Sequence, residues 1–258
     1  MDKLLEAILL GVVQGVTEWL PISSSGHLAL LQQYFKMENP VFFDVMLHVG
    51  TLIVILLFFR EDISRILKVV FVRREFKTEE AKMVELIIIG NIPLAILGFT
   101  FGESIEKLFE SPIAIATAFI FTGTIIYLTK FSSIKKNTIS FFDSILIGIA
   151  QAFALIPGIS RSGATIATAL LLGIKHEKAM KYSFLLSIPA VLAAAIGKTL
   201  SLNYQGINIY SILIGMMVSI VVGLFSLKFL KITLNKKLLY AFAPYCWILG
   251  ISLFCLNL

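Results

Sequence analysis

The sequence predicts an all-α integral membrane protein built as an inverted-topology repeat, with about six transmembrane helices plus two re-entrant helix hairpins. Three observations predict this. Of the 258 residues, 58% are hydrophobic and only 15% are charged, too few polar side chains to coat a soluble domain. Apolar runs of spanning length recur from one end to the other. Two short motifs also recur at one common offset, the first at 11–14 and again at 148–151, the second at 22–26 and again at 159–163, which marks an internal duplication. The whole chain, 1–258, reads as a single membrane domain with repeats at approximately 1–130 and 138–258.

Ten apolar segments follow in order. Residues 4–20 form the first, of marginal length, with Glu6, Gln14 and Glu18 inside it. These polar residues and the single preceding base, Lys3, argue against a cleaved leader. Pro21 ends this helix, and a short segment, 25–36, follows the serines. Segments 41–59, 83–101 and 112–130 are long enough to span. The second copy repeats the order: 139–156, a short 162–174, then 182–198, 208–230 and 238–257. Asn91 and Pro93 mark a kink in the fourth segment. Cys246 and Cys255 share the last segment, about 13 Å apart along a helix, too far for a disulfide.

Charge sets the sides. The loop at 60–82 carries Arg60, Arg65, Lys68, Arg73, Arg74, Lys77 and Lys82 and is expected to be cytoplasmic. Glu103, Glu106, Lys107 and Glu110 mark an outer loop, and Lys130, Lys135 and Lys136 an inner one. Lys175, Lys178 and Lys181 are inner again, as are Lys228, Lys231, Lys236 and Lys237. Treating segments one and two, and six and seven, as hairpins satisfies these sides and explains the short segments. Each repeat then has three spans, so the copies are inverted, and the hairpin tips meet near the midplane. The net charge of +6 serves topology and contact with membrane lipid, not nucleic acid.

The tips carry the chemistry. Gln14 and Glu18, four apart, share a helix face. Beyond Pro21 come Ser23, Ser24, Ser25, Gly26 and His27, which offer hydroxyls, caps and an imidazole beside a carboxylate. The second tip has Gly158, Ser160, Arg161, Ser162, Gly163 and Thr165. Its glycines allow close approach of backbone to a ligand, its helix N-terminus attracts anions, and Arg161 suits phosphate oxygens. Taken singly, Glu18 reads as a packed acid, the serines as caps and Arg161 as its counter-ion. Together in two matched turns they form a set for handling phosphate, with carriage of a small ion as the rival reading. Asp44 and His48, four apart at the outer half of the third segment, would be a second polar layer.

Over residues 11–27 (GVVQGVTEWLPISSSGH) and 157–165 (PGISRSGAT) the sequence resembles the bacterial undecaprenyl-diphosphate phosphatases, the bacitracin-resistance family. The segment order and length extend the likeness to the whole chain. The resemblance implies hydrolysis of undecaprenyl diphosphate to undecaprenyl phosphate and inorganic phosphate, recycling the lipid carrier for cell-wall synthesis. It also implies a multi-pass protein of the bacterial inner (plasma) membrane and a divalent cation, magnesium or calcium. The family's first motif is Glu or Gln, three residues, then Glu, matched by Gln14 and Glu18. Gln14 carries no charge, so the acidic and metal-binding role falls on Glu18. The catalytic set is then Glu18, Ser24, His27 and Arg161, with the substrate held by Gln14, Ser23, Ser25, Gly26, Gly158, Ser160, Ser162, Gly163 and Thr165. Three routes stay open: attack by His27, attack by Ser24 with His27 or Glu18 taking its proton, and attack by a metal-bound water. The site is expected to face the extracytoplasmic side, a homodimer is left open, and a lipid transporter or flippase is the alternative function.

Overall fold

A computed structural model describes residues 3–37, 40–73, 77–200 and 209–256; Arg74 of the basic loop lies outside them. Helices make up the fold, with no β-strand among the described residues. The first half contains α1 (Lys3–Thr17), α2 (Ser24–Phe35), α3 (Pro40–Phe58), α4 (Arg60–Leu67), α5 (Glu79–Leu108) and α6 (Pro112–Leu128). The second contains α7 (Phe141–Phe153), α8 (Arg161–Leu171), α9 (His176–Leu200), α10 (Ile209–Asn235) and α11 (Ala243–Cys255). Four helical stretches among the described residues are long and apolar enough to cross a bilayer: Glu79–Leu108, Pro112–Phe131, His176–Gly197 and Ile209–Asn235. A fifth begins with apolar α3, after which the chain bends by 77° into α4. The last apolar segment is shorter than a continuous span because the 3₁₀ turn Leu239–Phe242 precedes α11.

Local chemistry sets the short helices. α2 starts at Ser23, whose hydroxyl accepts from Gly26 N, and ends at Lys36 in the left-handed conformation. α8 starts at Ser160, whose hydroxyl accepts from Gly163 N, and ends at Gly173, also left-handed. At both ends the chain closes in the same way. Met37 N donates to Gln32 O and Ile174 N to Ala169 O, the 6→1 bond of a Schellman stop. α7 opens with a capping box between Ser140 and Asp143.

Packing relies on close backbone crossings. α1 runs beside α10, where a Cβ on Gly11 would meet Gly215 O at 2.5 Å. α7 runs beside α5, where a Cβ on Gly148 would collide with Gly90 O. Such small-residue seams are how helices associate in lipid. α3 packs on α9 and α6 on α11. Trp19, Phe59, Tyr182 and Phe184 fill the largest core cluster. α4 turns away from the spanning direction of α3 as an amphipathic helix, anchored where Asp62 meets Lys181 and Arg65, each at 2.5 Å. Partial burial pushes the Asp62 carboxyl up, but these two cations more than offset it and hold it below the usual carboxylate range. Apolar Leu67, Phe71 and Val72 stay exposed along this stretch.

Candidate active site

The two turns use the same caps on different backbones, with φ +66° at Ser23 and φ −75° at Ser160. Ser23 and Ser160 each cap a helix through the amide three residues on. Each hydroxyl also meets a second serine, Ser25 at 3.2 Å and Ser162 at 3.3 Å. The turns touch: a Cβ on Gly26 would lie 2.9 Å from Gly158 Cα, and Ser162 Oγ donates to Leu20 O at 3.4 Å. Gly158 has φ +97°, a conformation in which a side chain would be strained, and a Cβ there would press on Ile115 O at 2.6 Å. Thr122 of α6 pins this turn by donating to Gly158 O at 2.9 Å and accepting from Ser160 N at 3.1 Å. Cys246 reaches Pro21 O at 3.7 Å from the other side.

Charge concentrates where the tips meet. Arg161 Nη2 is ion-paired to Glu18 Oε1. The other carboxylate oxygen accepts from Ser24 Oγ at 2.7 Å and from Gln14 Nε2 at 3.2 Å, with His48 Nε2 at 3.7 Å. His48 Nδ1 donates to Asp44 O at 2.8 Å, so its Nε2 edge is turned toward Glu18. Arg161 also lies 6.0 Å over the Phe184 ring, and its Nη1 is buried with no partner among the described residues. A buried pair that keeps an unused donor contributes little to stability, but it is a ready receiver for a multiply charged oxyanion.

A cavity of about 410 Å³ opens over this centre. Glu18, Ser24, Ser25, Ser160 and Arg161 line its floor, with Gln151, His48 and Asp44 beside them. One wall is apolar and built of small residues, Gly98 and Gly102 on α5 and Ala190 and Ala194 on α9. The cavity extends to Ile105, Glu106 and Phe109, at the C-terminal end of α5, and Asp44, near the start of α3. That is the end of the bundle away from Arg60, Lys82, Lys136, Lys175 and Lys237.

The expected site residues therefore divide. Glu18, Ser24, Ser25, Ser160 and Arg161 face the cavity. Ser23, Gly26, Gly158, Ser162 and Gly163 build the turns; in particular the Gly163 amide, expected to hold phosphate, is committed to Ser160 Oγ. Thr165 is fully buried and bonds Ser183 Oγ at 2.5 Å, behind the site. Gln14 supports Glu18 from beneath and donates to Thr51 Oγ1 at 3.4 Å.

His27, expected among the catalytic residues, stands apart from this group. It does not line the cavity. Ser23 O can only accept, so His27 Nδ1 carries the proton of their 2.6 Å bond. Its Nε2 faces Tyr245 Oη at 2.7 Å, and the ring lies edge-on to Phe119. In the neutral ring the one lone pair is thus occupied, and the imidazole braces the turn. His48, expected in a second layer, is the histidine beside Glu18. Sequence reasoning missed Gln151, Thr122 and Ser187 as parts of the site. Gln151 alone left a signal, since it follows Gln14 at the offset of the repeated motifs.

A family profile described as "Bacitracin resistance protein BacA" matches residues 7–252. An undecaprenyl-diphosphatase of Carboxydothermus hydrogenoformans is 41% identical over 98% of this chain and 97% of its own. One of Methanobrevibacter smithii is 38% identical over 97% and 96%. One of Korarchaeum cryptofilum is 36% identical over 98% and 99%.

Proposed function

Since the chain belongs to the BacA family of bacitracin resistance proteins, we propose that it hydrolyses undecaprenyl diphosphate to undecaprenyl phosphate and inorganic phosphate where its two turns meet. One observation carries the site assignment: Arg161 of the second turn and Ser24 of the first both bind the Glu18 carboxylate on the floor of a cavity with an apolar wall. The small residues of that wall leave room for the first part of a prenyl chain, whose remainder stays in lipid while its head group reaches the floor.

The diphosphate competes with Glu18 for Arg161, and the unpartnered Nη1 gives it a further donor. Glu18, released, accepts the proton of Ser24 across their 2.7 Å bond. Ser24 Oγ forms a bond to the terminal phosphorus. The bond to the bridging oxygen breaks, and its electron pair leaves with undecaprenyl phosphate. Arg161 stabilises the charge on the equatorial oxygens. Water then displaces Ser24 from phosphorus, its protons staying with the phosphate, and Glu18 returns its proton to Ser24 Oγ, giving inorganic phosphate and the free serine. His27 holds the turn that aims Ser24.

A divalent cation fits this donor set. Gln14 Oε1 is buried without a partner among the described residues and stands beside Glu18. Magnesium needs only one or two protein oxygens when phosphate supplies the rest. No cluster of three acidic, histidine or cysteine ligands exists among the described residues, so Glu18 and Gln14 would hold it against the substrate. When bound it would neutralise phosphate charge.

We read the architecture as two inverted copies, each with three spans and one hairpin entering from its own face. Exchange of the halves supports this. α1 on α10 becomes α7 on α5, while α3–α9 and α6–α11 each map onto themselves. With the basic loops cytoplasmic, the cavity opens to the extracytoplasmic side of the plasma membrane.

The test is phosphate release from long-chain prenyl diphosphate by purified protein with magnesium, alongside Arg161→Ala and Glu18→Ala. Release that both variants abolish while still folded is the expected result. A folded parent that releases none would overturn the reading in favour of a carrier.

A further inference from the structure

Gln151 is 1% exposed, yet it stands in the cavity wall with Arg161. Its amide has a fixed sense. Asn91 Nδ2 donates to Ile87 O at 2.8 Å and to Leu186 O at 3.1 Å, which turns Asn91 Oδ1 toward Gln151. That oxygen accepts from Gln151 Nε2 at 3.1 Å. Gln151 Oε1 is thereby the end left over, buried and without a donor among the described residues. A carbonyl oxygen only accepts, and burying one unpaired is costly. What completes it must bring an O–H or N–H into a cavity whose cation, Arg161, recruits oxyanions.

Resting on the phosphatase reading above, we infer that Gln151 is a specificity-determining residue that accepts a hydrogen bond from the hydroxyl of a phosphate bearing one, and so holds the orthophosphate product. Orthophosphate keeps one P–O–H even as a dianion. The terminal phosphoryl of the substrate, once doubly ionised, has none. Gln151 thus discriminates between substrate and product head groups that Arg161 alone would treat alike.

Orthophosphate and sulfate separate these contributions, because at about pH 8 both are tetrahedral dianions and only phosphate carries a proton. In the parent, orthophosphate inhibits at least about tenfold more strongly than sulfate, the worth of one hydrogen bond to a charged partner. In Gln151→Met, of similar volume, that ratio falls to about twofold. Asn91→Leu, which frees the amide to turn over, lowers the ratio partway. A parent that does not distinguish the two anions, or a Gln151→Met that still does, overturns the inference. Calorimetric titration of both anions reads the same ratio without turnover. A parent that hydrolyses nothing therefore sinks the phosphatase reading, while the titration still decides for or against Gln151.

Discussion

The two turns share their capping serines and the glycine that follows, but not their backbone or their charges: Ser23 has φ +66° and its counterpart Ser160 φ −75°, and the positive φ of the second turn falls on Gly158, where the first has Pro21. The step that carries the first turn onto the second takes Ser23 to Ser160 and Ser25 to Ser162, so the caps coincide. The same step takes Glu18 to Leu155, Ser24 to Arg161 and His27 to Ala164. The capping serines are kept, whereas the acid, the cation and the imidazole each stand in one turn only. Neither turn is a site alone: one holds acid and hydroxyl, the other the cation. Contact between the turns brings both to one point.

Breaking that complementarity has the largest expected effect. Arg161→Ala and Glu18→Ala each lower kcat/KM by about 10³ or more, the scale of a lost transition-state donor. The double variant is no worse than either, because the two act as one unit. Each single variant also strands a buried charge at a cost of about 3–5 kcal/mol, whereas the double variant regains part of it. Thermal unfolding in detergent therefore has to accompany the kinetics; a double variant less stable than both singles would show that the pair is not coupled.

Within the first turn, the structure ranks two residues that stand together in sequence. Ser24→Ala removes the attacking hydroxyl and is expected to lower kcat by at least about 10³ with little change in KM. His27→Asn removes a brace and lowers kcat/KM by about tenfold, the value of one or two hydrogen bonds. Tyr245→Phe lowers it less, by a few-fold. If His27→Asn proves as severe as Ser24→Ala while Tyr245→Phe is neutral, the imidazole takes part in the chemistry and the bracing role fails.

Much of this is legible in the residues. Helical class follows from the apolar runs, and the equivalence of the turns from the common offset of their motifs. Glu18 and Arg161 stand out because charge at membrane depth demands a reason. What is not legible depends on direction. His27 and Ser24 are three apart, yet on α2 one faces the cavity and the other α11, and only packing of Tyr245 against the ring decides which. His48 reaches Glu18 from α3, and Gln151 joins Arg161 at the cavity from α7. Each sits on a different helix from the group it meets, and periodicity within one helix carries no information about its neighbours. α5 runs from 79 to 108 where hydropathy gives 83–101, because Thr78 caps it through Ala81 N ahead of the apolar run.

The matched glycines test whether the scaffold is as symmetric as the caps. Gly11→Ala and Gly148→Ala push a methyl into Gly215 O and Gly90 O respectively. Overpacking of this kind costs about 1–3 kcal/mol. Equal losses are expected from the two, read as unfolding midpoints. A large loss at one position alone would mean that the two seams do not bear the fold equally.

The smallest effect tests where the halves cease to correspond. α4 has no counterpart between α9 and α10 among the described residues, and Asp62 ties it to Lys181 of the second half. The pair is partly exposed, so Asp62→Asn costs about 0.5–1 kcal/mol at neutral pH. Because Lys181 and Arg65 hold the folded carboxyl below its ordinary value, this stability is fully present above about pH 4. It is lost as pH falls through the depressed folded value, where protonation leaves the cations unpaired. Parent and Asp62→Asn should therefore differ in unfolding midpoint at neutral pH and converge in acid. A difference that persists unchanged well below the carboxylate range would mean that Asp62 holds α4 by shape and hydrogen bonding, not by charge.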